Sequence, residues 1–223
     1  MKAKVYLETT IPSYLVGRPS RDLLVAAHQK ATYDWWELRR SEFDLYVSEF
    51  VLDEVRAGDP TLADRRLELM RDIPALVSNS EILELAEDLI AKGPIPRKAA
   101  IDAAHIATAT VYGCEYLLTW NCRHIANAEL HRAIRRVAEG RGFEAPTLMY
   151  AERDDGETTM KWKDEIVEEV RAAREAYAAR FDYDLVRIFE DLKKSEAEHP
   201  ERMADLKPLK PRAPRPATDR DAA

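Results

Sequence analysis

Cysteine is scarce in this 223-residue chain, and so are long apolar runs and any excess of positive charge. The two cysteines, Cys114 and Cys122, are too few for a disulfide framework or a cysteine-based metal site. No stretch approaches the roughly 18 apolar residues of a membrane span, and the opening MKAKVYLETT has no apolar signal core. A soluble, cytoplasmic setting with no membrane partner is therefore expected. The net charge of −7 gives the whole chain no general attraction for nucleic acid, although a local basic surface remains compatible with it. What the chain has in quantity is charge, 34% of residues, beside an ordinary 46% of hydrophobic ones.

Short apolar runs alternate with helical patterns over the first 150 residues. KVYLETT reads as a strand and Pro12 as a first-turn helix residue. A helix follows over 20–41, then a strand FDLYV, then a helix SEFVLDEVRAG with Ser48 as its cap and Gly58 at its end. A helix near 60–72 precedes a strand ALVSN. The helix SEILELAEDLIAKG is given Ser80 as its N-cap. An alanine-rich helix ending at Gly113, a strand EYLLTW, a helix over 127–140 and a strand PTLMY complete the pattern. Such alternation predicts a short parallel sheet covered on both faces, in three α/β/α layers. Sites in these sheets lie beyond the carboxyl ends of the strands. The rule points to Glu8, Thr9 and Thr10, to Ser48 and Glu49, and to Thr119, Trp120 and Asn121.

Three carboxylates stand against apolar surroundings. Glu8 ends the first strand, Glu54 shares a stripe with Phe50, Val51 and Val55, and Asp102 opens the alanine-rich helix. Brought together, they would repel and would need a cation. Oxygen ligands of this kind suit Mg²⁺ or Mn²⁺. The plainer reading is that Glu54 and Asp102 are ordinary helix carboxylates facing water. His105 and His124 lack zinc-site spacing and read as hydrogen-bonded spacers.

VYLETTIPSYL, VSEFVLDEVRAGDP, KAAIDAAHIATA and YLLTWNCRHIANAE, taken in this order and spacing, resemble the PIN-domain family, in particular the VapC-like toxins of type II toxin–antitoxin pairs. The resemblance covers residues 3 to about 150 and implies a metal-dependent ribonuclease. Carried over position by position, it makes Glu8, Glu54 and Asp102 the metal-binding and catalytic acids, with Thr119 and Asn121 beside them. Glutamate stands at position 8 where the family at large has aspartate. A fourth acid common elsewhere is replaced by Asn121 and His124, which leaves one metal or two open. Candidate RNA contacts are Arg18, Arg21, Arg97, Lys98 and Arg123, each of which also reads as an ordinary solvated side chain.

The polar run RDDGETT then leads to Met160, where the chain reads as if it started again. DEIVEEVRAAREAYAARF and DYDLVRIFEDLK resemble the small helical antitoxin encoded beside such toxins, which makes 153–160 a fusion joint. The expected organisation is a nuclease domain over 1–152, this joint, a helical module over 161–198, and a basic, proline-rich, disordered tail over 199–223. Ile166, Val170, Ala173, Tyr177, Phe181, Leu185, Ile188, Phe189 and Leu192 form an apolar stripe on one long helix or a helix pair, with Asp182 or Asp184 capping a break. Ile166, Val170, Tyr177, Phe181, Leu185 and Phe189 are expected to dock on the nuclease domain, in the same chain or across a homodimer. A basic side chain of the module or its tail would then replace the metal. No DNA-binding motif is visible in 160–223. A second reading keeps the PIN scaffold without catalysis, as an RNA-binding or assembly module with a structural C-terminal helix.

Overall fold

The computed structural model describes residues 1–149 and 164–212. Five strands, β1 (Ala3–Leu7), β2 (Phe43–Ser48), β3 (Ala75–Leu76), β4 (Tyr116–Leu118) and β5 (Thr147–Met149), form one sheet in the order β3-β2-β1-β4-β5. Every pairing is parallel. Parallel neighbours need crossovers, and helices supply them. Helices α1 (Thr10–Val16) and α2 (Leu23–Leu38) join β1 to β2, and α3 (Glu49–Val55) and α4 (Pro60–Leu69) join β2 to β3. Helices α5 (Ser80–Ala91) and α6 (Ala100–Val111) lead to β4, and α7 (Ala128–Gly140) to β5. The chain winds outward from β1 through β2 to β3, then returns to the other side of β1. The switch point of the sheet thus lies between β1 and β4, whose carboxyl ends open the crevice where such folds place their sites.

Val5, Tyr6 and Leu7 of the central strand are fully buried. All twelve residues of α6 are buried, five of them alanines whose small side chains let this helix approach the sheet and α5 closely. Two expected caps move by their surroundings. Asn79, not Ser80, caps α5 by accepting from Ile82 N at 3.0 Å. Ser48 precedes α3 but makes no cap bond, because its hydroxyl pairs with Tyr6 of the neighbouring strand at 2.6 Å.

The C-terminal stripe belongs to two helices, α8 (Glu165–Ala179) and α9 (Leu185–Glu198). Asp182 and Tyr183 break the path with left-handed φ of 55° and 59°, and Asp184 caps α9 by accepting from Val186 N and Arg187 N. Helix α8 lies against α1, α3, α6 and the turn 97–99, while α9 lies against α3 and α5. Val170, Leu185 and Phe189 are buried, and Ile166, Tyr177 and Phe181 are half-buried against the same core. Phe189 meets Phe50 of α3 edge-on, with ring centroids 5.3 Å apart. The stripe therefore docks on its own chain.

Composition predicts a disordered tail, yet residues 199–212 run as a strap. Met203 forms a parallel bridge with Ala75, and Ala204 N donates to Ala75 O at 2.7 Å. This pairing covers the open edge of β3. Leu209 N then donates to Val111 O and Arg212 N to Gly142 O, each at 2.8 Å. At Gly142, φ is +81° and an added Cβ would lie 1.9 Å from Arg212 O, so the strap passes only because no side chain stands there. Residues 213–223 and the joint 153–160 lie outside the described residues.

The α3–α9 seam is rich in acids. Burial, then Glu49, push the Asp53 carboxyl up to about 6, against the pull of Arg56. A carboxyl with a raised folded pKa binds protons more tightly than in the unfolded chain, so it erodes stability as pH rises from about 4 to about 6. Asp53→Asn is expected to gain on the order of 1 kcal/mol at pH 7 and to lose that part of the pH slope. Urea midpoints at pH 4.5 and pH 7 check this. Ending the chain after Arg202 removes the strap's three backbone bonds and is expected to cost about 2 kcal/mol. A thermal midpoint equal to that of the full chain would show the strap to be energetically idle.

Candidate active site

Glu8 follows β1 and is completely buried. Its Oε2 accepts from Thr10 N at 3.0 Å, from Thr10 Oγ1, and from Thr119 Oγ1 at 2.7 Å. The two hydroxyls donate to Glu8, because an ionised carboxylate only accepts, and each hydroxyl oxygen in turn accepts a backbone N–H. Trp120 N donates to Thr10 Oγ1 at 2.8 Å and Asn121 N to Thr119 Oγ1 at 2.9 Å. This network ties the ends of β1 and β4 and fixes the Glu8 carboxylate. Thr119 is thus engaged in holding Glu8.

Glu54 reaches the same place from the last turn of α3. Thr9 Oγ1 donates to its Oε2, and His105 Nε2 lies 3.3 Å from its Oε1. Burial raises the Glu54 carboxyl above its ordinary range, and His105 and Thr9 oppose that rise. Asp102, in the first turn of α6, has its Oδ2 2.8 Å from His124 Nδ1. The two histidines are hydrogen-bonded to the acids, as their spacing suggests.

A guanidinium sits among the three carboxylates. Arg174 of α8 is 5% exposed. Its Nη2 donates to Glu8 Oε1, its Nε to Glu54 Oε1 at 2.6 Å, its Nη2 also to Glu54 Oε2 at 2.9 Å, and its Nη1 to Asp102 Oδ1 at 2.7 Å. Burial lowers this guanidinium to about 9, still well above neutrality, so it keeps its charge. One turn earlier, Arg171 Nη2 donates to Asn121 Oδ1 at 3.0 Å. Asn121 Nδ2 is buried without a hydrogen-bond partner among the described residues.

The three acids picked out in the sequence therefore meet at one point. Arg174 is the residue that the apolar stripe conceals. It lies four residues from Val170 and four from Ala178, on the face that α8 buries, whereas the stripe runs through Ala173. A charge at such a position was the available signal. Arg18, Arg21, Arg97, Lys98 and Arg123 are all exposed and outside the buried cluster. Arg97 and Lys98 belong to the turn that α8 touches.

One ligand atom each from Glu8, Glu54 and His105 lies within 4.8 Å of the others. Asp102 stands outside this compact set and is reached by Nη1 of the flat guanidinium. Glu8 and Glu54 offer carboxylate oxygens of the kind that suits a hard divalent ion, and His105 completes the compact set. No family model, no curated protein and no solved structure matches the chain.

Removing the guanidinium leaves three buried carboxylates facing one another. Arg174→Ala is expected to lower stability by about 3–5 kcal/mol. Mn²⁺ is expected to restore much of that loss in the variant and to leave the parent's thermal midpoint unchanged. A variant indifferent to Mn²⁺ would exclude a divalent ion at this cluster.

Proposed function

We propose that this chain is a metal-dependent endoribonuclease of the PIN type, related to VapC toxins, held inactive by its own C-terminal helices. The observation that carries the reading is the Arg174 contact. A helix from outside the sheet delivers one cation to three acids placed at the sheet's switch point. Mg²⁺ or Mn²⁺ bound there would make water nucleophilic near neutral pH and offset the charge that builds on a phosphodiester under attack. Glu8, Glu54 and Asp102 would hold the ion.

The chain's own groups do the rest. Thr10 and Thr119 fix the Glu8 carboxylate, Thr9 and His105 fix Glu54, and His124 fixes Asp102. Asn121, a neutral amide where a fourth acid is common in the family, adds no charge and leaves a buried N–H₂ beside the acids. Arg18, Arg21, Arg97, Lys98 and Arg123 are exposed, and such side chains are suited to phosphates. Helix α8 closes this arrangement in two ways. Arg174 binds an oxygen of Glu8 and of Asp102 and both oxygens of Glu54, and Arg171 takes the carbonyl of Asn121. A nuclease regulated in this manner belongs in the cytoplasm with its RNA, and a homodimer remains compatible with it.

A second reading has its own support. The depth of Arg174 and the strap that fastens the module suit a permanent plug in a scaffold that binds RNA or assembles without cleaving it. RNA cleavage by the full-length chain in Mn²⁺ separates the two. Arg174→Ala is expected to raise cleavage at least about tenfold, since one cation no longer competes for the acids. Adding Asp102→Asn to that variant is expected to return it to background. An Arg174→Ala protein that binds Mn²⁺ and RNA yet leaves RNA intact would favour the scaffold.

A further inference from the structure

Behind the acids lies a buried chain of hydroxyls and imidazole. Ser48 Oγ is 2.6 Å from Tyr6 Oη, and Tyr6 Oη is 2.7 Å from His105 Nδ1. His105 Nε2 is 3.3 Å from Glu54 Oε1. Ser48 is 2% exposed, and Tyr6 and His105 are 0% exposed. Burial raises the Tyr6 phenol far above its ordinary value, so it keeps its proton.

The direction of this chain follows from hydrogen-bond arithmetic. Glu54 Oε1 already accepts from Arg174, and an ionised carboxylate has only acceptors, so Nε2 must face it with a hydrogen. A neutral ring protonated at Nε2 has a lone pair at Nδ1, which takes the Tyr6 hydrogen. Tyr6 Oη is then free to accept from Ser48. All three hydrogens find an acceptor and all run toward Glu54. The alternatives leave a defect. A ring protonated only at Nδ1 sets a lone pair against the carboxylate. A doubly protonated ring turns Tyr6 into a donor to Ser48 and strands the Ser48 hydrogen, whose side chain makes no other bond among the described residues.

We propose that His105 is a positioning residue whose Nε2–H is locked onto Glu54 by the Tyr6–Ser48 relay, and that this lock reserves the site for cations bound through oxygen. The proposal rests on the metal reading above. His105 belongs to the compact set with Glu8 and Glu54 and turns Nε2 toward Glu54, and an unprotonated nitrogen there would favour Zn²⁺, Co²⁺ or Ni²⁺. A nitrogen that carries its hydrogen has no lone pair in the ring plane to give. The relay converts what looks like a mixed oxygen and nitrogen site into one of oxygens alone. Glu54 is meanwhile held by donors on both oxygens, as outer partners commonly orient metal-binding carboxylates.

Two measurements test this. The first is the ¹⁵N spectrum of the His105 ring in the unaltered full-length chain, assigned by its loss in His105→Gln. The neutral Nε2–H tautomer is expected, and either the Nδ1–H tautomer or the doubly protonated ring would overturn the relay. The second is Mn²⁺ affinity in the full-length Arg174→Ala background. Gln at 105 keeps an N–H donor for Glu54 and is expected to hold affinity within about threefold of the parent background. Leu at 105 removes the donor and is expected to weaken it about tenfold or more. Equal losses for Gln and Leu would make His105 a ligand and defeat the proposal. If Arg174→Ala binds no Mn²⁺, the metal reading fails and the reservation of the site fails with it. The spectrum then decides the relay by itself.

Discussion

Three carboxylates and one guanidinium set the terms for the rest of this structure. Glu8, Glu54 and Asp102 are brought together by elements that the core already fixes: the central strand, the helix after β2 and the wholly buried α6. Their mutual repulsion in a buried place is large, and Arg174 offsets it with four donated hydrogen bonds. That contact in turn fixes where α8 crosses and how it is rotated. Asp164 caps the helix at one end, and Arg171 is brought to Asn121 one turn before Arg174.

Much of this was legible in the chain. The strands are short and apolar and the helices carry clear periodicity, so alternation alone implies the layered parallel sheet. Glu8, Glu54 and Asp102 show themselves as acids at strand and helix ends on otherwise apolar faces. Arg174 is harder to see, because seven of the sixteen residues from Asp164 to Ala179 are charged acids or bases, and only its spacing from Val170 and Ala178 marks it as the one that turns inward. Ser48 illustrates the same limit. Its neighbourhood reads as a helix cap, but Tyr6, on the adjacent strand, claims the hydroxyl. The tail is a third case: its prolines and basic residues argue for disorder, and the order comes from an unpaired strand edge that is distant in sequence.

A guanidinium and a metal ion make different demands on the same acids. The planar fork spans a wide arc and reaches Asp102 on one side while binding both Glu54 oxygens on the other. A spherical ion draws its ligands toward one centre, and the compact set here omits Asp102. Glu8 is positioned independently of Arg174, since Thr10 and Thr119 hold the oxygen that faces away from it.

Arg174 and the acids it binds lie on one continuous chain. A cation supplied by a separate protein leaves the acids when both are diluted, and its supply can fall behind. Here the ratio of guanidinium to acid cluster is one to one at every expression level, and dilution does not alter it. Occupancy is then governed by a local opening equilibrium within one molecule, to which the strap, the α9 seam and the four bonds of Arg174 all contribute.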